Sequence, residues 1–303
     1  MLSTPLNVHV LQALRDEPMS LIDLRRAVGS PPQTTMRGHL RALVEARVLE
    51  RKRQGGFPGP VDYELARAGR ELLGVAEILE AWLRVAPDGA IQLGSVAAKS
   101  STKALVEGWS SGIVRALAAK PLALTEISRL ITGLSYPSLE RRLGAMRMAG
   151  LIEPRPGSGR GTPYAVTDWL RRAIGPLAAA ARWERRNLSD VTSPVRRIDI
   201  EAAFLLTLPM VSLPEPYAGV CRLAVDTSNG SQHRQAGVVV RVEKGKVSSC
   251  VTRLDGQVDA SALGSVAAWI ATVLEKDGEQ LEFSGRSRLA RALGDGLHRV
   301  LLP

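Results

Sequence analysis

The sequence predicts an α+β chain: two tandem copies of one helix–helix–helix–hairpin–helix unit, then a small α+β domain built on an antiparallel sheet. Three observations carry this. The chain matches itself without a gap at an offset of 103 residues. Turn signals and apolar periodicity recur in the same order in each copy. After about residue 194 the composition changes from basic and helix-rich to nearly neutral and strand-rich. The expected domains are 1–86, 87–190 (a linker helix and the second copy) and 195–303. A length of 303 residues with 45% hydrophobic content suits two or three such units.

The repeat is legible residue by residue. "VLQALRDEPMSLIDLRRAVGSPPQTTMRGHLRALVEARVLE" from Val10 lies on "IVRALAAKPLALTEISRLITGLSYPSLERRLGAMRMAGLIE" from Ile113. Pro18 meets Pro121, Leu40 meets Leu143, and Glu50 meets Glu153. Two residues are then lost in a loop, after which Tyr63 meets Tyr164 and Trp82 meets Trp183. Shared helical periodicity explains matches of Leu with Leu. It does not explain paired prolines, tyrosines and tryptophans, so duplication is the stronger reading.

Each copy reads in the same order. A first helix ends near Leu14 or Leu117. A second, "LIDLRRAV" or "LTEISRLI", follows a short turn, with Ser20 as a plausible N-cap in the first copy. A third helix buries Met36, Leu40 and Leu43, or Leu139, Leu143 and Met146, at spacings of four and three. A strand, a Gly/Pro-rich loop ("KRQGGFPGP" or "RPGSGRGT"), a return strand and a last helix with Trp82 or Trp183 complete it. That is the winged helix-turn-helix order.

The pattern "L…L(R/S)R…L…R(H/R)L…L…A…(V/L)(L/I)E", with its glycine-rich wing and Y-x-(L/V) return strand, resembles the HxlR-type winged-helix regulators, relatives of the MarR group. "WSSGIVRAL" at 109–117 resembles the tryptophan-led first helix of that family. The resemblance covers roughly residues 5–186, twice over. It implies a DNA-binding transcription factor. Family members act as homodimers, so two copies in one chain imply a covalent pseudo-dimer, as a monomer or itself dimerised.

Phosphate contacts supply affinity and base-edge contacts supply sequence preference. With the third-helix stripe turned inward, Gln33, Thr34, Thr35, Arg37 and Arg41 are expected to face the major groove of double-stranded DNA. Arg51, Lys52 and Arg53 lead into the wing, where they could hold phosphates or enter the minor groove. In the second copy the candidates are Ser138, Arg141, Arg142, Arg155 and Arg160. Glu140 stands at the place of Arg37 and Gly144 at that of Arg41, so the two heads should read an imperfect palindrome, or the first alone should bind strongly. The competing reading of each helix is a solvated face around a core element. The turn, the basic wing and the duplication together favour DNA.

Residues 195–303 read as a helix, strands "GVCRLAVDT", "AGVVVRVEKG" and "KVSSCVTRL", a helix starting near Asp259 as N-cap, a strand "EQLEFSG" and a final helix. This tail resembles the sterol-carrier-protein-like fold. The resemblance implies an apolar pocket for a hydrophobic small-molecule effector, lined by Phe204, Leu205, Trp269, Ile270 and Val273. An ordinary packed core is the equal alternative.

Charge agrees with this division. The net charge is +10, of which residues 1–194 carry +9 and residues 195–303 only +1. A basic balance favours an anionic partner. Aromatics at 4% argue against a stacking surface for single strands. Cys221 and Cys250 sit in apolar runs and read as buried reduced thiols. His9, His39, His233 and His298 are scattered, so no metal site is expected, and no cofactor either. No phosphate loop, nucleophile elbow or catalytic triad has a recognisable context, which disfavours an enzyme. No signal peptide or membrane span is evident. The expectation is a cytoplasmic, nucleoid-associated regulator with no membrane partner. The alternatives are a lipid-binding carrier whose winged helices contact protein, and a constitutive DNA binder with a structural C-terminal domain.

Overall fold

The computed structural model describes residues 1–53, 61–110, 112–157, 161–188, 195–227 and 234–302. The chain divides into two units. One is Met1–Lys103 with Ala179–Thr192, the other Ala104–Ala178 with Ser193–Pro303.

The first unit opens with α1 (Pro5–Ala13), the two-residue strand β1 (Met19–Ser20), α2 (Leu21–Ala27) and α3 (Gln33–Glu45). Ser20 caps α2 as expected, its hydroxyl accepting from the Asp23 N–H at 3.3 Å. Met36, Leu40 and Leu43 are fully buried, which sets the rotation of α3 about its axis. The chain leaves α3 through Arg47 in the left-handed region (φ 56°), and the Val48 N–H closes the turn on the Leu43 carbonyl at 2.9 Å. β2 (Leu49–Arg53) and β3 (Val61–Leu65) then pair antiparallel, and β1 adds to β3, giving the order β1-β3-β2. α4 (Arg67–Arg84) closes the arrangement with Trp82 buried on it, and α5 (Val96–Ser110) follows, its residues from Ala104 onward belonging to the second unit.

The second unit repeats this order. α6 (Ile113–Ala119), β4 (Leu122–Ala123), α7 (Leu124–Leu130) and α8 (Tyr136–Met148) lead to β5 (Ile152–Pro154) and β6 (Pro163–Val166). α7 and α8 start and stop 103 residues after α2 and α3. The sheet order is again middle-return, β4-β6-β5. Leu49 pairs with Leu65, and Ile152 with Val166, so the two-residue loss falls between the strands, as the alignment places it. Leu139, Leu143 and Met146 are buried. Gly150 (φ 70°) sits where Arg47 does, with the Leu151 N–H bonded to the Met146 carbonyl at 2.9 Å. One difference stands out: the segment matching α4 is broken at Ala173 into α9 (Asp168–Arg172) and α10 (Ile174–Asn187). The end of α10 belongs to the first unit, where the Trp183 indole N–H donates to the Ala68 carbonyl at 2.8 Å.

The remainder of the second unit is α11 (Arg197–Thr207), β7 (Gly219–Asp226), β8 (Gln235–Glu243), β9 (Lys246–Val251), β10 (Ala260–Ser265), α12 (Val266–Glu275), β11 (Glu282–Gly285) and α13 (Ser287–Leu301). Two expectations are corrected. The run after Asp259 does not start a helix: Ala260–Ser265 is a strand, and Ser265 caps α12 by accepting from the Ala268 N–H at 3.1 Å. Asp259 instead accepts from the Val220 N–H at 2.8 Å, holding the starts of β7 and β10 together. Nor is the sheet wholly antiparallel. Its order is β11-β10-β7-β8-β9, and β10 lies parallel to β7. β9 ends on one edge, and residues 252–259 carry the chain back past β8 and β7 before β10 begins, so β10 enters in the direction of β7.

Alternation along β7 and β8 turns Cys221, Leu223 and Val225, with Val238, Val240 and Val242, into one core under α11, α12 and α13. The β8–β9 hairpin turns at Lys244 (φ 50°) and Gly245 (φ 74°), the two left-handed positions of a type I′ turn. Cys221 and Cys250 both face Val240 from opposite sides, two strand spacings or about 9.5 Å apart. That exceeds disulfide reach, and both are free thiols. Burial pushes each up to about 12. One buried carboxylate joins α6 to α11. Glu201, 2% exposed, accepts from the Arg115 Nε at 2.7 Å and the Arg197 Nε at 2.6 Å.

Candidate nucleic-acid interface

The outward face of α3 follows from its inward one. Residues 36, 40 and 43 are buried, so Thr34 and Arg41 fall on the opposite side with Thr35 and Arg37 flanking it; Gln33 lies in the first turn nearer the stripe, and all five are exposed. Gln33, Thr34 and Thr35 form the first turn, whose N–H groups have no intrahelical acceptor and carry the positive end of the helix dipole. A helix so arranged presents amide donors and a guanidinium to an anion, and amide and methyl groups to base edges.

Two side chains that sequence reasoning did not single out hold α3 in place. Arg25 on α2 donates from Nε to the Pro31 carbonyl at 2.7 Å, and the Ser30 N–H closes on the Arg25 carbonyl at 2.8 Å. These bonds lock the turn between α2 and α3, where Gly29 and Ser30 are both left-handed (φ 88° and 55°). His39 Nδ1 lies 2.8 Å from the Asn7 Oδ1, tying the middle of α3 to α1. A half-buried His one position after an exposed face was the available signal, and only the fold supplies Asn7.

The basic triplet of β2 does not act as a block. Strand alternation puts Arg51 and Arg53 on one face and Lys52 on the other. All three are exposed. The Arg51 guanidinium lies 6.0 Å from the ring centre of Tyr63, its cross-strand neighbour. Lys52 Nζ is 3.6 Å from Glu64. The wing tip, 54–60, lies outside the described residues.

In the second set the same frame carries different chemistry. Arg141 and Glu140 are exposed on α8, and Ser138 is half-buried in its first turn. Arg142, at the place of His39, is also half-buried, and its Nη1 reaches the Glu107 carbonyl of α5 at 3.4 Å. It thus takes the anchoring position of His39. Arg155 is exposed at the end of β5, paired with Glu153 at 2.6 Å. Arg160 lies outside the described residues. The α7–α8 surface also exposes Leu130, Tyr136 and Met148.

The expected effector residues are not on one surface. Phe204 and Trp269 meet edge to face at 5.1 Å within the packed core, and the Trp269 indole donates to the Ala224 carbonyl at 2.8 Å. Leu205 is buried on α11, and Ile270 and Val273 are half-buried on α12. Among the described residues no cluster of His, Cys, Asp or Glu could hold a metal ion, and no helix is long and apolar enough to cross a membrane.

No curated protein matches the chain significantly in sequence. Residues 2–87, which run from α1 through α4, match the family model described as HxlR-like helix-turn-helix. The stretch that builds α3, its locked turn and the basic β2 is therefore similar to the HxlR-like helix-turn-helix family.

Proposed function

We propose that the chain is a sequence-specific, double-stranded-DNA-binding transcriptional regulator of the HxlR type. α3 enters the major groove, and β2 with its wing holds phosphates. The observation that carries this is the exposed set Gln33, Thr34, Thr35, Arg37 and Arg41, on a helix locked to α1 and α2 inside an HxlR-like domain. In this reading residues 113–187 are a second, duplicated winged helix. The constant 103-residue shift, the common strand order and the matching left-handed turn at Arg47 and Gly150 support that. The chain is then a covalent pseudo-dimer with two unequal heads, working in the cytoplasm on the nucleoid and needing neither cofactor nor catalytic site. The sterol-carrier-like C-terminal domain carries the response to a hydrophobic effector at Phe204, Leu205, Trp269, Ile270 and Val273. Such an effector must part the Phe204–Trp269 contact, and it alters DNA affinity only by binding the DNA-competent state differently.

A second reading gives DNA binding to the first head alone. Glu140 and Gly144 in place of two arginines, Arg142 drawn back to α5, and the exposed Leu130, Tyr136 and Met148 favour it.

Mobility shifts on duplex from the protein's own upstream region, with salt varied, test the regulator reading. Salt-sensitive binding is expected, and its absence on every duplex tried would overturn the proposal. Arg37→Ala should relax sequence preference, costing about 1–3 kcal/mol on the preferred site. Lys52→Ala should weaken all duplexes alike. If the two variants behave the same way, the groove assignment is wrong.

A further inference from the structure

We propose that the second unit holds a binding site for an amphipathic carboxylate, in the cleft between the end of α6, the end of β5, β6 and α9. The cleft has a volume of about 610 Å³, within the range of small-molecule sites. Three cations line it, Lys120, Arg155 and Arg171, and no acidic side chain does. Its other walls are apolar, chiefly Leu117, Pro121, Pro156 and Val166. A ligand matched to this lining has one anionic end and a short hydrophobic body.

Arg171 is the anchor. Its side chain is only 19% exposed, yet the one carboxylate paired with it among the described residues, Asp168, lies 3.8 Å away and is itself 85% exposed. The rest of its charge is met by carbonyls, Nη1 donating to Leu206 at 2.9 Å and to Leu205 at 3.4 Å. Burial pulls this guanidinium below its ordinary value, the mark of a cation short of compensation. An anion in the cleft supplies that compensation through charge-assisted hydrogen bonds. Lys120, exposed on the lining, has no ion-pair partner among the described residues and supplies a second charge. Arg155 is held by Glu153 and can turn its guanidinium to either anion. The site itself does not depend on DNA binding. Its regulatory sense rests on the reading above: Arg155 is a candidate phosphate contact, so a ligand drawing on it competes with the DNA backbone. Arg171 meanwhile ties the same cleft to α11.

Calorimetric titration of the full chain without DNA tests the site, with sodium 2-naphthoate as probe and 2-naphthol as its neutral counterpart. Naphthoate is expected to bind with a Kd of about 1 mM or tighter, and naphthol roughly tenfold more weakly. Lys120→Gln and Arg155→Gln, both at exposed positions, should each weaken naphthoate several-fold and leave naphthol unchanged. Arg171→Lys keeps the charge but loses the fork to the α11 carbonyls, and should fall between wild type and those variants. The proposal is overturned if naphthol binds as tightly as naphthoate, if the Gln variants bind naphthoate like wild type, or if no binding is seen at about 10 mM.

Discussion

Glu201→Ala should destabilise the second unit by about 2–4 kcal/mol. The carboxylate is 2% exposed and accepts close bonds from two guanidiniums, with contacts of 2.6 Å to Arg115 Nη2 and 2.6 Å to Arg197 Nε. Charge-assisted bonds of this kind are worth about 1.5–3 kcal/mol each, which sets the gross loss. Two effects reduce it. Removing the carboxylate also removes its own desolvation cost. The arginine side chains, 40% and 67% exposed, can turn back to water rather than stay buried and unpaired. The net therefore falls near or below the low end of about 3–5 kcal/mol found when a buried pair is broken. Urea unfolding followed by circular dichroism measures it, and a double-mutant cycle apportions it. Coupling to Arg115 should exceed coupling to Arg197, because Arg115 is the more buried and makes two contacts to Glu201 Oε2. A loss below about 0.5 kcal/mol would mean that Glu201 is solvated in solution, and would refute the clamp between α6 and α11.

Two further outcomes follow from local geometry. Arg47→Gly should stabilise the first unit by about 1 kcal/mol, since a non-glycine residue in the left-handed region is strained there; unchanged or lower stability in urea would refute the turn geometry. Cys221 and Cys250 should react slowly with a thiol reagent at pH 8 in the folded chain and quickly in denaturant, burial having raised both to about 12. The sign for stability follows: the neutral thiol is the folded form, so this contribution is intact below the unfolded pKa near 8.5 and is lost as pH rises from there to about 12. An alkaline limb of the stability curve checks it.

Much of the fold was legible because repeated local chemistry leaves repeated traces. The apolar stripes of α3 and α8, the Ser20 cap and the two-residue loss before Tyr164 all follow from short-range rules. What escaped was non-local. "DASALGS" carries apolar positions that suit a strand or the start of a helix, and burial between β7 and β11 decides for the strand. Nothing along the chain shows that β10 skips β9 and β8 to join β7, because strand partners are chosen by a shared core rather than by sequence order. The candidate interface divided in the same way. Periodicity alone separates the exposed from the buried side of α3. It could not separate Arg141, which stays outside, from Arg142, which is drawn towards α5, because the Glu107 carbonyl that receives it lies 35 residues earlier.

That division makes the unequal heads open to a direct test. Glu140 and Gly144 occupy the positions on α8 that Arg37 and Arg41 occupy on α3. A Cβ at Gly144 meets no heavy atom within 4 Å, so the first carbon of a side chain is accommodated there without a clash. Replacing glycine inside a helix also stabilises it, by about 0.8–1.0 kcal/mol relative to an Ala-like residue. The double variant Glu140→Arg, Gly144→Arg should therefore fold at least as well as the parent. If α8 faces DNA in the complex, the variant gains up to two cationic contacts and loses one repulsion. Each phosphate neutralised steepens the dependence of log K on log salt by about 0.9, so the slope should grow by roughly 1–2, with tighter binding at low salt. An unchanged slope in a variant that folds normally would place α8 away from the duplex. The first head would then bind alone, and the exposed Leu130, Tyr136 and Met148 would be free for another use of the second.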